Sequence, residues 1–413
     1  MNRKTIIFKV FEFPHLSETF ILAQIITAIK LGYDIKIIVR KLLDIENSLY
    51  KKSLIDYEIL DRIVVEDYKI PKNIFFKIIK FVFLLIKNLK KIKAILNFYK
   101  KHDKFSFTWL YQWDFYENFN SNDNVFHVQY GTNRNPLDLL KATGFFNPSL
   151  IVTFHGHDAF FPINGFIPNN GYYNYLFNYG DLITANTPYL AEKIIDLGCP
   201  KEKLKIIPVG VDTHFFYPIR QNRNNGKTLK LITVGRLDPV KGHKYCIEVI
   251  KKLVSCGFDI TLTIVGDGYE RKILEELIEN NNLEKFVFLL GKKSQEEIRS
   301  LLCENDLYII TAVPLADGRR ETQGLATLEA QACGLPVIAF DSGGVKYTIE
   351  QEKTGFVFDE YDITGIVTIL KKIYFERDIL DDMSANTKKF IETNYSQIFL
   401  DDIWDDVYKK LFK

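Results

Sequence analysis

Twelve short apolar runs alternate with helix-like stretches along this chain, and that rhythm limits the fold more than any other feature. The first half holds runs at 6–10, 35–39, 125–128, 150–154, 182–185 and 204–209. The second half holds runs at 229–234, 260–265, 286–290, 307–311, 337–340 and 355–358. A strand with one wet face alternates polar and apolar residues. A continuous apolar run marks a strand covered on both faces, as in a parallel sheet between helices. Strand–helix repetition over about 200 residues, twice, predicts an α/β architecture of two doubly wound Rossmann-like domains. The polar, aperiodic stretch 218–227 (PIRQNRNNGK) reads as the linker between them. The expected division is therefore 1–217, a linker at 218–228, a second domain at 229–395, and a last helix within 396–413. That helix places Phe399, Ile403, Trp404, Val407, Tyr408 and Leu411 at helical spacing, so it needs a surface to cover, and the first domain is the candidate. Doubly wound sheets bind ligands beyond the carboxyl ends of their strands, which makes the cleft between two facing domains the default site.

Several classes of function drop out. Up to Phe215 the chain carries 27 basic and 21 acidic residues, and beyond it 27 and 31, so no uniform basic surface for nucleic acid is expected. Five scattered cysteines without a C-x-x-C pair argue against a disulfide framework or a zinc site and suit a reducing, cytoplasmic setting. Residues 1–13 lack the apolar core of an export signal, and no apolar run is long enough to span a membrane. There is no G-x-x-x-x-G-K-[ST], no G-x-G-x-x-G after a strand and no G-x-S-x-G, so ATPase, dehydrogenase and α/β-hydrolase readings lose their main support.

One segment stands apart. Residues 69–104, from Lys69 to Lys104, hold eleven lysines and a single acid, Asp103. Ile78, Val82, Leu85, Leu89, Ile92, Leu96 and Tyr99 recur at helical spacing, while Lys80, Lys87 and Lys91 share another face. Two readings stand: a surface helix packed on its own sheet with solvated lysines, or a face for an anionic membrane or an anionic lipid-linked substrate.

Four stretches carry candidate chemistry. Residues 235–242 (GRLDPVKG) follow the run 229–234. Gly235 lets a ligand approach the backbone, and Arg236 with Lys241 brings a guanidinium fork and a point charge near one spot, as a diphosphate requires. Residues 321–336 (ETQGLATLEAQACGLP) read as a turn and then a helix over 325–333 that stops at Gly334. Backbone N–H groups at that helix start suit a phosphate or sugar oxygen. Glu321 and Glu329 either accept hydrogen bonds from hydroxyls along one elongated ligand, or cap the helix and face solvent. Residues 153–158 (TFHGHD) put His155, His157 and Asp158 at a strand end. A neutral His155 hydrogen-bonded to a ligand hydroxyl is preferred there to a metal site, since no D-x-D pair or further His/Cys cluster supports one. In residues 13–20 (FPHLSETF), Ser17 is a helix N-cap and Glu18 a candidate contact to a substrate hydroxyl.

Together these stretches resemble a family-4 retaining glycosyltransferase of the GT-B fold. GRLDPVKG is similar to that family's G-R-L-x-x-x-K-G, ETQGLATLEAQACGLPVI to its E-x7-E element, and IPVGVDTHF to its segment before the interdomain linker. FPHLSETFI and TFHGHD resemble the branch that builds bacterial exopolysaccharide, capsule or lipopolysaccharide. The resemblance implies a UDP- or GDP-linked sugar as donor and a hydroxyl of a lipid-linked or growing glycan as acceptor. It implies transfer with retention of configuration, with the leaving phosphate taking the acceptor's proton, and neither cofactor nor metal. Arg236 and Lys241 would bind the diphosphate, beside Gly235. Glu329 would hold the ribose hydroxyls, and Gly266 would lie near the base. Glu321 and His155 would carry the catalytic contacts to the donor sugar, with the N–H groups of Gln323, Gly324 and Leu325 beside Glu321. Ser17, Glu18 and Asp158 would meet the acceptor. One departure is visible: where relatives have G-G-x-P-E, this chain has Gly343, Gly344, Val345, Lys346 and Tyr347, without the acid.

Overall fold

The computed structural model describes residues 4–14, 19–44, 51–102, 105–160, 171–218 and 227–412. The chain forms two compact units, each built on its own sheet. The first comprises residues 1–185, 191–206 and 401–413, and the second residues 186–190 and 207–400.

The first sheet has seven strands: β1 (Thr5–Phe13), β2 (Asp34–Leu42), β3 (Ile63–Val65), β4 (Asn124–Gln129), β5 (Ser149–Thr153), β6 (Leu182–Ala185) and β7 (Leu204–Ile206). Their order is β3-β2-β1-β4-β5-β6-β7, all parallel. The second sheet has six: β8 (Leu229–Val234), β9 (Ile260–Val265), β10 (Val287–Gly291), β11 (Leu307–Ile310), β12 (Val337–Phe340) and β13 (Gly355–Phe358), in the order β10-β9-β8-β11-β12-β13. Every apolar run named above overlaps a strand, although the run 204–209 continues three residues past β7. Their continuous apolar character has the expected cause, since Ile6, Ile7, Phe8, Leu231, Ile232, Leu262 and Ile309 are all buried. Only β3 lacked a signal, because a three-residue edge strand is too short to establish a period.

In both sheets the chain winds outward from the first strand and then returns to its other side. Each unit therefore has a switch point, between β1 and β4 and between β8 and β11, where loops part and leave room for a ligand.

The units do not divide where composition changes. Residues 207–216 go with the second unit, ahead of the polar stretch, most of which (219–226) lies outside the described residues. The backbone of Val209 exchanges two hydrogen bonds with the Gln323 side chain (2.9 and 2.8 Å), and Val211 bridges Ser396, so β7 stops at Ile206. The helix Gln397–Leu411 supplies the first unit with its last residues. Tyr408 hydroxyl meets His127 Nδ1 at 2.9 Å, Asp401 accepts from Thr27 at 2.6 Å, and Trp404 is buried against the His127 ring. Among the described residues no helix is long and apolar enough to cross a membrane.

Candidate active site

In the second unit, the loops leaving β8 and β11 are locked to each other by glycine. Gly242 has φ +66°, and a Cβ there would lie 1.8 Å from the carbonyl oxygen of Thr311. The Thr311 hydroxyl donates to the Gly242 carbonyl at 2.8 Å. Gly266, at the end of β9, lies equally close to the Gly235 carbonyl. Backbones this tightly packed leave no side chain between the strand ends and an incoming ligand. Asp238 caps the short turn Pro239–Lys241 by accepting from Val240 N–H (3.1 Å), which fixes where Lys241 starts.

Lys241 Nζ forms an ion pair with Glu321 Oε2. The other carboxylate oxygen of Glu321 accepts from the backbone N–H of Thr322 (3.2 Å), Gln323 (3.5 Å) and Gly324 (3.1 Å). Burial would raise the pKa of Glu321, but the Lys241 charge and these N–H groups outweigh it and hold the carboxyl below its ordinary range. The N–H groups expected to stand open toward a ligand at Gln323 and Gly324 are thus directed at Glu321. The Gln323 side chain is buried and spent on Val209.

Gly324 has φ +83° and starts the helix Leu325–Ala332, which stops before Gly334 (φ +85°). Glu329 sits on this helix, half-buried. Burial pushes its carboxyl up to about 7, against the pull of Lys241. Arg236 is exposed and forms no ion pair among the described residues. One geometry therefore brings Gly235, Arg236, Lys241, Glu321, Gly324 and Glu329 to the switch point of a single sheet.

The loop carrying Glu321 is held from behind. The N–H of Gly344 donates to the Glu321 carbonyl at 2.8 Å, and Thr187 hydroxyl donates to the Thr322 carbonyl at 2.7 Å. Gly343 (φ +62°) and Gly344 pack directly on this backbone. Lys346, near the place where relatives carry an acid, pairs with Asp341 (3.2 Å) at the surface. Sequence reasoning gave Gly343 and Gly344 no role; a G-G pair directly after a buried strand was the available signal.

The raised pKa of Glu329 has a consequence for stability. Between its ordinary value of 4.5 and about 7 the folded chain keeps the proton that the unfolded chain has lost. Stability therefore falls as pH rises through that window and levels off above it. Glu329→Gln is expected to melt higher than the natural chain at pH 8, by about 1–3 kcal/mol. The gap should close toward pH 5. A gap that widens on acidification in thermal melts would contradict this.

In the first unit, His155 and Asp158 follow β5. Asp158 is wholly buried and accepts from the N–H groups of Gly131 (2.7 Å), Gly156 (2.9 Å) and His155 (3.1 Å). Its oxygens tie the loops after β4 and β5 together, which replaces the acceptor contact expected from the sequence. His155 Nε2 lies 2.8 Å from the Gln129 amide oxygen, so that nitrogen carries the proton, and Gln129 is steadied by Gln24 (2.8 Å). Burial, then the neighbouring His157, lowers the His155 pKa to about 3, so its ring is neutral at physiological pH. His127 is similarly lowered to about 3, by burial first and His155 second. It heads a buried chain of hydroxyls, His127–Thr153–Thr184, each link 2.7 Å. Ser17 and Glu18 lie outside the described residues.

A cavity of about 460 Å³ opens at the carboxyl ends of β1, β2 and β4, lined by Lys9, Glu12, Arg40, Glu66, Tyr130 and His157 among others. Lys9 is buried in β1. It donates to the carbonyls of Asn133 (2.9 Å) and Asn135 and lies 3.7 Å from Glu66, which accepts from Tyr68 and Tyr116 (2.5 Å each). Burial lowers the Lys9 pKa although Glu66 opposes it. Tyr130 has φ +69°, a conformation that costs a non-glycine residue about 1–2 kcal/mol, and its ring meets His155 edge-on and His157 at a tilt. The sequence analysis did not find this cavity. A lysine interrupting the buried run Thr5–Phe13 was its signal.

Comparison with known proteins supplies the context. A family model described as Glycosyl transferases group 1 matches residues 218–390, and one described as Glycosyltransferase Family 4 matches residues 84–215. The chain is 29% identical over 261 residues to the putative colanic acid biosynthesis glycosyltransferase WcaL of Escherichia coli K12, covering 62% of this chain and 63% of that one. It is 30% identical over 226 residues to the amylovoran biosynthesis glycosyltransferase AmsK of Erwinia amylovora, covering 54% and 55%. The chain thus spans less than two thirds of either relative's length. Its fold is similar to the crystal structure of Anabaena Alr3699/HepE in complex with UDP-glucose, with a TM-score of 0.69, 17% identity, and 98% and 99% of the two chains covered. With both parts of the sequence matched by glycosyltransferase models and both units folded as Rossmann-like domains of the GT-B kind, the chain belongs to the family-4 glycosyltransferases.

Proposed function

We propose that this chain transfers a sugar from a UDP- or GDP-linked donor to a hydroxyl of a lipid-linked or growing surface polysaccharide, with retention of configuration. The reading is carried by the second unit's switch point, where Lys241 pairs with a Glu321 carboxylate fixed by the N–H groups of its own turn, and Arg236 follows β8. In the reaction, the bond from the anomeric carbon to the donor's phosphate oxygen breaks, and a bond to the acceptor oxygen forms on the same face. The acceptor's proton passes to the leaving phosphate. Negative charge grows on the diphosphate, and fixed cations beside it stabilise that charge without reorganising. Arg236 takes the outer phosphate as a fork and Lys241 takes the inner one as a point charge. Glu329 accepts from the ribose hydroxyls, and Gly235 and Gly266 let the nucleoside lie against bare backbone. Glu321, held in place by its own N–H turn, accepts from the sugar hydroxyls. In the first unit, the neutral ring of His155 offers a hydrogen bond to a sugar hydroxyl, and the acceptor enters the cavity lined by Arg40 and His157.

UDP-glucose bound to a protein of this fold, and relatives named for colanic acid and amylovoran biosynthesis, support this reading. Five cysteines without disulfides suit transfer on the cytoplasmic side.

A thermal-shift screen against UDP-, GDP-, ADP- and CMP-linked sugars tests the donor. A UDP- or GDP-sugar at about 100 times its Kd should stabilise the chain by about 2.7 kcal/mol, while free sugar does nothing. Equal shifts with free sugar and nucleotide sugar would point to a sugar-binding protein instead. Transfer should continue in EDTA, because the two cations carry the work of a metal; activity restored only by a divalent ion would refute that assignment.

A further inference from the structure

The lysine-rich segment packs on its own unit, as a surface helix would, but also exposes a broad apolar arc that such a helix would not. It forms the helix Ile74–Lys87, a single turn Leu89–Lys91, and the helix Ile92–Lys100. At ~100° per residue, Phe75, Phe76, Ile79, Val82, Phe83 and Ile86 fall within an arc of about 120° on the first helix. Their exposures run from 47% for Val82 to 64% for Phe75. The opposite side, with Lys77, Lys80 and Leu84, packs on the helix Thr108–Glu117. Tyr111 hydroxyl donates to the Lys77 carbonyl (2.7 Å), Lys80 Nζ lies 4.9 Å from the Tyr111 ring centre, and Lys87 pairs with Asp114 at 2.6 Å. The helix holds to its own fold through Leu84, Phe81 against Phe107 and the Lys80 and Lys87 contacts, and turns a second apolar arc outward. Among the described residues nothing covers that arc, and Leu89 and Leu96 of the same segment are exposed as well.

The surrounding charge selects what covers it. Residues 69–102 contain ten lysines and no acid. Lys72, Lys90, Lys93 and Lys100 are exposed and form no ion pair among the described residues. A second copy of the chain seated face to face would bring these lysines against their equivalents, and like charges oppose that. An anionic bilayer answers both features: lipid chains take the phenyl and isoleucyl groups, and headgroup phosphates take the ammonium groups. We propose that this face docks on an anionic membrane, with the helix Ile74–Lys87 lying in the plane of the headgroups. The proposal does not depend on the donor chemistry.

The test is co-sedimentation of the full chain with vesicles of phosphatidylcholine alone, or with roughly one part in three phosphatidylglycerol. It is run at about 0.1 M and about 1 M salt, where the screening length falls from roughly 10 to 3 Å. Neither donor nor acceptor is present, so failure here leaves the transferase reading untouched. The chain should bind anionic vesicles at least about tenfold more tightly than neutral ones, and high salt should weaken but not abolish binding. A triple variant, Phe75→Ser with Phe83→Ser and Ile86→Ser, should lose at least about tenfold in binding at either salt while melting as the natural chain does. A second variant, Lys72→Gln with Lys90→Gln and Lys93→Gln, should lose the preference for anionic lipid. Equal vesicle binding by the natural chain and the triple variant would overturn the proposal. So would a natural chain that stays in the supernatant, or one that forms dimers which the triple variant dissolves.

Discussion

Lys241→Ala is expected to lower kcat/KM for sugar transfer by roughly 10²–10³, the usual effect of removing one fixed stabiliser of a leaving anion. The fold should survive. Lys241 is half-buried on a short turn, and the glycine contacts that lock the loops, Gly242 to Thr311 and Gly266 to Gly235, do not involve its side chain. The substitution also strands Glu321, which would keep its three N–H donors but lose its cation, so its carboxyl should hold a proton more readily. Two roles for Lys241 are then separable. If it acts on the diphosphate, affinity for the bare nucleoside diphosphate falls in Lys241→Ala and holds in Glu321→Gln. If it serves only to hold Glu321, the two variants lose transfer alike and keep the nucleotide. A double-mutant cycle measures how much of the effect is shared. Near-full activity in Lys241→Ala would refute the diphosphate role.

Gly344→Ala should damage both stability and the site. Its φ of −91° suits any residue, so the harm is steric. The added Cβ would lie 1.7 Å from the Thr322 carbonyl oxygen and 3.0 Å from the Thr187 hydroxyl. Backbone cannot give way as a flexible side chain does, and a loss of about 3 kcal/mol is expected. The loop that must move carries Glu321 and its N–H turn, so the stabilisation by nucleotide sugar should vanish as well. Gly257→Ala is the control: that residue has φ +82° but open space around it, so it should cost only about 1 kcal/mol and keep the response to donor. Denaturant unfolding with and without nucleotide sugar distinguishes the two. A Gly344→Ala chain as stable as the control would contradict the role assigned to that contact.

The strands were legible because burial on both faces leaves no room for polar residues, and burial was what their composition recorded. Gly334 could be read for a similar reason: it ends a helix at φ +85°, where a residue without Cβ fits, and the helix marks the place. Long-range partnership could not be read. Nothing local in TFHGHD says that Asp158 will bond backbone N–H groups after β4, or that Glu321 will turn back on its own loop. The lysine-rich segment shows the limit most plainly. Periodicity places its apolar residues on one arc, but which arc faces the fold depends on Tyr111 and Asp114, more than twenty residues away from the lysines they meet. The boundary between units was hidden for a comparable reason, since the two hydrogen bonds joining Gln323 to Val209 outweigh a change in composition at 218.

The first unit is not a contiguous stretch of polypeptide: residues 401–413 complete it after the whole of the second has been inserted. During synthesis, β1 to β7 leave the ribosome with the His127 face still wet, and they must wait for Trp404 and Tyr408 before that side can close. A fragment cut at the polar stretch would therefore be an incomplete body prone to clumping rather than an isolated module. Dissection of the chain calls for circular permutation or for supplying the missing helix in trans.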